Sequence, residues 1–265
     1  MFPKIVLIDN FNGCNLKCSI CDHKNMTRQT KKMPWNIYTK IIHEVAQESP
    51  GSRVWQIYFG DPFLCDDMPG RIAYAKAMGL TDVVLNTNGA LMTPEKSKAF
   101  INAGLDFIYV GIDAYHKSTY DKIRIGGDFE KVISNVLRYR DMNENIFVQF
   151  VECEENKYEK GLFVNFWKAR GVKVKIRPMV SWIGLVDNGS EPHVNDKDCY
   201  WYRNSFSILN TGDVSLCACD LHGRYNIGEI RTKTIKEVWE THQSKKPETC
   251  KTCNDCEVGN AEYHL

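Results

Sequence analysis

Ile5-Val6-Leu7-Ile8, then five residues, then Cys14-Asn15-Leu16-Lys17-Cys18-Ser19-Ile20-Cys21: a short apolar run leads into a loop with three cysteines at C-x3-C-x2-C spacing. Three thiolates gathered on one loop suit an iron–sulfur cube, in which each cysteine holds one iron and the fourth iron stays open to another ligand. A zinc site normally asks for four protein ligands and a redox dithiol needs only two, so either of those readings has a vacancy or a surplus to explain. A structural zinc knuckle stays open as the alternative.

The chain has 265 residues, of which 43% are apolar, and a net charge of +1. That length holds one large domain, or a domain of about 190 residues with an appendage. The charge gives no electrostatic argument for nucleic acid or for an anionic membrane. The cationic residues Lys24, Arg28, Lys31 and Lys32 read first as a solvated loop, and second as a docking patch for an acidic reductant or an anionic substrate. No apolar run is long enough to span a membrane and the N-terminus lacks a signal-peptide layout, so a cytoplasmic protein is expected. Eleven cysteines, an odd number, do not make a disulfide framework in a reducing compartment, which leaves metal ligation as their common use.

Short β-type runs alternate with helical ones up to about residue 180. Strands are expected at 4–8, 53–58, 82–86, 106–112, 146–152 and 172–177, each rich in Val, Ile, Phe or Tyr. Helices are expected from Pro34, over Arg71 to Met78, from Thr93, from Asp128 with Phe129, Val132, Ile133, Val136 and Leu137 on one face, and around Leu162 to Trp167. This βα alternation predicts an α/β fold with a parallel sheet, because parallel neighbours need crossover connections. The pattern alone leaves a barrel and an open doubly wound sheet equally possible. Ligand-binding residues are expected in the loops after strand C-termini in both. Beyond the linker-like Asp187-Asn188-Gly189-Ser190-Glu191-Pro192 lie six of the eleven cysteines, a hairpin about Thr211-Gly212-Asp213, and a short amphipathic helix over Thr234 to His242. Two parts follow, 1–190 and 191–265.

The cysteine loop resembles that of the radical S-adenosylmethionine (SAM) superfamily, and the resemblance chooses the partial (β/α)6 barrel. It implies that the amino and carboxylate groups of SAM chelate the open iron of a [4Fe–4S] cluster, and that reductive cleavage gives a 5'-deoxyadenosyl radical that abstracts hydrogen from substrate. Tyr58-Phe59-Gly60-Asp61-Pro62 is similar to the family's glycine-glycine-glutamate-proline motif, which places Gly60, Asp61 and Pro62 at the SAM amino group. Thr87-Asn88-Gly89 resembles the ribose-side turn. Gly111-Ile112-Asp113-Ala114 resembles the serine-x-aspartate-glycine stretch, with Gly111 for serine. Arg124 follows as a partner for the SAM carboxylate, since arginine can grip a carboxylate in two places, or as a plain surface arginine. Ile20 takes the slot where the family usually packs an aromatic on adenine.

The C-terminal part resembles the family's SPASM/twitch extension, which implies one auxiliary [4Fe–4S] cluster on Cys199, Cys217, Cys250 and Cys253. Cys256 replaces Cys253 or is spare, and Cys219 has no firm match. A zinc ribbon of Cys217, Cys219, Cys250 and Cys253 stays open beside it. Twitch-bearing relatives include an aminocyclitol dehydrogenase of antibiotic biosynthesis and peptide maturases. The resemblance therefore implies a small-molecule substrate that is oxidised or epimerised, with a ribosomal peptide as the alternative, and a flavodoxin- or ferredoxin-type electron donor. Absence of a segment before the first strand favours the small molecule. A glycyl-radical activase and a non-enzymatic zinc protein are the further alternatives. Substrate-side candidates are Glu152 as a base, Cys153 as a hydrogen donor, and Ser181 and Trp182 after the sixth strand. Each also has an ordinary structural reading. His116 and His222 receive no role.

Overall fold

The computed structural model describes residues 2–180, 182, 185–186 and 199–244. Its strands are β1 (Ile5–Ile8), β2 (Arg53–Trp55), β3 (Val83–Thr87), β4 (Phe107–Gly111), β5 (Ile146–Glu152), β6 (Lys173–Pro178), β7 (Ser205–Ile208), β8 (Asp213–Ser215) and β9 (Asn226–Glu229). Its helices are α1 (Trp35–Glu48), α2 (Met68–Ala77), α3 (Pro94–Asn102), α4 (Lys117–Ile123), α5 (Phe129–Met142), α6 (Lys160–Lys168), α7 (Tyr200–Asn204) and α8 (Ile235–Ser244). One sheet holds all the strands in the order β6-β5-β4-β3-β2-β1-β7-β8-β9. Pairs from β6 through to β7 are parallel, and β7-β8 and β8-β9 are antiparallel. This is the α/β fold with a parallel-rich sheet that the βα alternation predicts.

Successive side chains of a strand point to opposite faces, and parallel sheets are covered on both. Val6, Ile8, Val54, Val83, Leu85, Ile108, Val110, Val148 and Phe150 pack on the helix side with Ile41, Ile72, Phe100, Val136 and Trp167. Ile5, Leu7, Trp55, Val84 and Tyr109 form a second buried cluster on the other face, with Cys199, Trp201, Tyr202 and Cys219. Helix starts follow the expected caps: Thr93 accepts from Lys96 N and Asp128 from Lys131 N.

Three features differ from the sequence expectation. The second strand ends at Trp55 rather than Tyr58, because the side-chain amide of Asn10 takes the Gln56 carbonyl that a longer ladder would use. Helix α4 occupies a segment read only as a motif. The hairpin of the cysteine-rich part belongs to the main sheet: β7 lies parallel to β1, with Ile5 opposite Ser205 and Ile8 opposite Ile208.

The cationic segment after the cysteine loop is also more structural than a solvated loop. Arg28 donates to the fully buried Asp9 carboxylate at 2.6 Å and to the Leu221 carbonyl at 2.9 Å, so it ties the loop after β1 to the segment after β8. Lys32 pairs with Asp66. An ion left unpaired in a protein interior is expensive, so Arg28→Ala should lower unfolding stability by about 3 kcal/mol in urea titrations. The double variant with Asp9→Asn should recover part of that loss, because the stranded charge is removed.

Candidate active site

The C-terminal ends of β1, β2, β3 and β4 meet around the cysteine loop. Backbone N–H groups of Lys17 and Ser19 donate to the carbonyls of Ile125 and Ile123 at 3.0 and 2.9 Å, which fastens the loop to the end of α4. Asp61 N donates to Gly13 O at 2.8 Å. Gly60 makes this approach possible: its φ is +118°, and a Cβ there would lie 2.6 Å from Phe11 O and 2.8 Å from Gly13 O. No side chain other than hydrogen fits.

Asp61 is fully buried, and its carboxylate joins three turns. It accepts from Phe63 N at 3.0 Å, Thr87 Oγ1 at 2.8 Å and Asn88 N at 2.9 Å. Burial pushes this carboxyl above its ordinary value, while those donors pull it back. Asn88 in turn donates to Asn15 Oδ1 at 2.9 Å and to Cys14 Sγ at 3.9 Å. Across the mouth, Asp113 accepts from Val151 N at 2.8 Å and pairs with Arg124. Arg124 Nη1 reaches Cys18 Sγ at 3.7 Å. Gly111 leaves the space Arg124 occupies, since a Cβ there would overlap the guanidinium.

Cys14, Cys18 and Cys21 line one cavity with Ile20, Gly60, Thr87, Asn88, Arg124 and Trp182. Asp61, Pro62 and Asp113 stand behind this wall rather than in it. Trp182, at φ +52°, donates from Nε1 to Ile20 O at 2.8 Å and sits edge-on to Phe59. Burial pushes Cys14 up and Cys21 up to about 12. A neighbouring cation would reverse that direction.

A second cavity adjoins the first, and the two share Tyr58, Phe59, Asn86, Arg177, Val180 and Trp182. Its far wall includes Trp201, Ala218 and Cys219. Cys199, Cys217 and Cys219 belong to one cluster there, with Cys219 N donating to Cys217 Sγ at 3.3 Å and Tyr58 Oη to Cys217 O at 2.8 Å. The contact with Cys219, then burial, push the Cys217 thiol well up. Cys219, unmatched in sequence, thus stands beside an expected ligand. Cys250, Cys253, Cys256 and Ser181 lie outside the described residues.

Of the substrate-side candidates among the described residues, Trp182 lines these cavities and Glu152 and Cys153 do not. Val151 faces the cysteine cavity, so its neighbour Glu152 points the other way and pairs with Lys160 at 2.8 Å. Cys153 packs against the cluster of Leu16, Cys18, Ile20 and Ile123 but lines neither cavity, and burial together with Glu155 pushes it up to about 12. Sequence reasoning missed Asn86, Gln149, Lys175 and Arg177, which line one or both cavities. Their signal was present in β6: Val174 and Ile176 pack on the helix side, which turns Lys175 and Arg177 to the opposite face.

A parallel half-barrel whose first strand feeds a three-cysteine loop, with a second cysteine cluster across the chamber, defines the class: SAM-dependent radical enzymes with an added iron–sulfur unit. The sequence profile of the Radical SAM superfamily matches residues 11–151, and that of the SPASM iron-sulfur cluster-binding domain matches residues 199–257. The chain belongs to the radical SAM superfamily. It is 34% identical to a probable GTP 3',8-cyclase of Methanococcus maripaludis over 120 residues, 45% of this chain and only 39% of that protein. The fold is that of BtrN, solved with AdoMet and 2-DOIA (TM-score 0.67, 16% identity, 97% of this chain and 94% of that one). Streptococcus suis SuiB, solved with precursor peptide SuiA, shares it too (TM-score 0.77, 12% identity, 97% and 70%). No helix among the described residues is long and apolar enough to cross a membrane.

Family membership implies SAM, a [4Fe–4S] cluster on the first loop and an auxiliary iron–sulfur cluster. The residues present fit these groups. Three thiols face one cavity, and two of them accept from Asn88 and Arg124, donors suited to cluster sulfurs. Among the described residues no three His, Cys, Asp or Glu converge as ligands of a single ion do. Thiols that each take a separate corner of a cube stand farther apart than that. Asn86 Oδ1, Gln149 Nε2 and Arg124 Nε are buried without hydrogen-bond partners in residues lining the cavity, a polar lining for a polar cofactor.

Gly60→Ala should lose iron from the reconstituted protein and lower its melting temperature, through backbone overlap and a strained φ worth about 1–3 kcal/mol. Gly70→Ala in α2, where a Cβ meets nothing within 4 Å, should instead leave iron content unchanged and add about 0.5 kcal/mol. Iron assay beside thermal melting checks both.

Proposed function

We propose that this protein cleaves SAM reductively and uses the resulting radical to abstract hydrogen from a carbon of a small sugar-like or aminocyclitol metabolite, oxidising or epimerising it. One observation carries the reading: the cavity behind Cys14, Cys18 and Cys21 runs into a chamber that ends at Cys219, so a substrate held there lies between the two cysteine sites. When bound, the first cluster and SAM supply a 5'-deoxyadenosyl radical. The chain's own part is to hold the carbon in reach and keep water away, for which Phe59, Trp182 and Trp201 give an apolar wall. Oxidising a carbinol carbon sends a hydrogen atom to the radical, a proton to a base and one electron to an acceptor. The cysteine-rich end of the chamber is the proposed acceptor site, held by Cys199, Cys217, Cys219 and the cysteines that follow. Cys153 reaches neither cavity, which favours oxidation over epimerisation through that thiol. A flavodoxin- or ferredoxin-type protein is the proposed electron donor. A modified peptide is the second reading, supported by the likeness to SuiB over 97% of this chain.

Anaerobic reconstitution of wild type should give about eight irons, and a Cys14, Cys18, Cys21 to Ala variant about four. Reduced wild type should also release 5'-deoxyadenosine from SAM, and the variant none. About four irons with one zinc in wild type would remove the electron-accepting site and leave redox-neutral chemistry.

A further inference from the structure

His222, which has no role in the site described above, links the two cysteine segments. Its Nε2 donates to Asp22 Oδ2 at 2.9 Å, while its Nδ1 accepts from Thr27 N at 3.5 Å and lies 3.3 Å from Thr27 Oγ1. A backbone N–H can only donate, so the ring hydrogen sits on Nε2 and points at the carboxylate. The side chains are 7% and 4% exposed, which keeps water from competing for this bond. Asp22 directly follows Cys21, and His222 stands three residues past Cys219.

The chain is stiff on both sides of this contact. Asp22 also accepts from Asn25 Nδ2 at 2.7 Å, Cys21 N donates to Cys18 O at 3.3 Å, and Met26 N donates to His23 O at 3.0 Å. On the other side, Asp220 N, Leu221 N and Gly223 N donate to the carbonyls of Cys217, Cys219 and Asp220, each at 3.1 Å. The buried Asp220 carboxylate closes that turn by accepting from Ser215 Oγ at 3.0 Å, Arg224 N at 3.0 Å and Tyr225 N at 2.9 Å. Displacing His222 from Asp22 therefore shifts whole turns and the thiols they carry.

The same two parts of the chain are also tied through residues outside the cysteine loops. β7 pairs with β1, Arg28 joins Asp9 to the Leu221 carbonyl, and Lys40 of α1 donates to Lys233 O at 2.7 Å. These ties hold the C-terminal part on the sheet. The Asp22–His222 bond instead joins the neighbour of a first-site cysteine to the turn that carries Cys217 and Cys219.

We propose that the Asp22–His222 hydrogen bond is a strut that sets the spacing of the two iron–sulfur sites, which makes both residues positioning residues for the reaction. This rests on the reading above that the cysteine-rich end holds the electron acceptor. A substrate between the sites gives a hydrogen atom to the radical on one side, a proton to a base and an electron to the acceptor on the other. Both sites must stay within its reach, and a misplacement of about 1 Å slows such a reaction by about a hundredfold.

The test is pulsed dipolar EPR at liquid-helium temperature on the anaerobically reconstituted protein reduced with Ti(III) citrate, which reads the separation of the two reduced clusters as a distribution. Wild type should give one narrow distribution. His222→Ala should keep about eight irons and broaden the distribution about twofold or more. His222→Gln, whose amide still donates to Asp22, should restore the wild-type width. Lys40→Met should lower the melting temperature and leave the width unchanged, because that tie touches neither cysteine loop. A wild-type width in His222→Ala, a broadened one in His222→Gln, or equal broadening in Lys40→Met overturns the proposal. If His222→Ala keeps only about four irons, His222→Gln decides: about eight irons at the wild-type width supports the strut, and any loss of iron or width overturns it. Wild type with about four irons and one zinc overturns the parent reading instead.

Discussion

A single buried carboxylate organises the mouth of this sheet. Asp61 sits where water cannot reach, so its charge has to be answered by protein donors, and those donors come from three separate turns. Its own backbone N–H reaches Gly13 in the cysteine loop, and Asn88, whose N–H it accepts, touches Cys14 through its side chain. The position of the first thiol is thereby set by the ends of β2 and β3. Asp61 thus acts through its side chain as a structural brace, while Gly60 beside it forms the cavity wall.

Much of this was legible in the sequence because it is written in local terms. Apolar runs of strand length, helix caps at Thr93 and Asp128, and three cysteines within eight residues each carry their meaning within a short window. Features that depend on partners far along the chain left no such trace. The pairing of β7 with β1 joins residues some two hundred positions apart, and nothing in Ser205–Ile208 specifies which edge it will join. Arg28 looked like one of several surface cations until Asp9 and Leu221 were found on either side of it. Glu152 illustrates a different limit: being at a strand end did not say which face it would take, and one residue of register separates a chamber wall from solvent.

The chamber combines requirements that pull against each other. Radical chemistry asks for an apolar, water-poor enclosure, and the aromatic residues around Trp182 provide it. Polar groups enter the two adjoining cavities from the strands, Asn86 on β3, Gln149 on β5 and Lys175 on β6. Placing them on strands rather than loops gives rigidity, since Asn86 and Gln149 sit on strands paired on both sides and Lys175 is paired to Gln149 on the edge strand.

The parallel docking of β7 on β1 also sets an order of events during synthesis. β1 leaves the ribosome first, yet one of its edges stays bare until Ser205–Ile208 has been made. An unpaired apolar edge is a template for pairing with other chains. The nascent half-barrel therefore needs either a chaperone's cover or fast completion of the cysteine-rich segment. A truncated chain that stops before β7 inherits that exposed edge permanently, so the C-terminal part protects the first strand from aggregation independently of any cluster it carries.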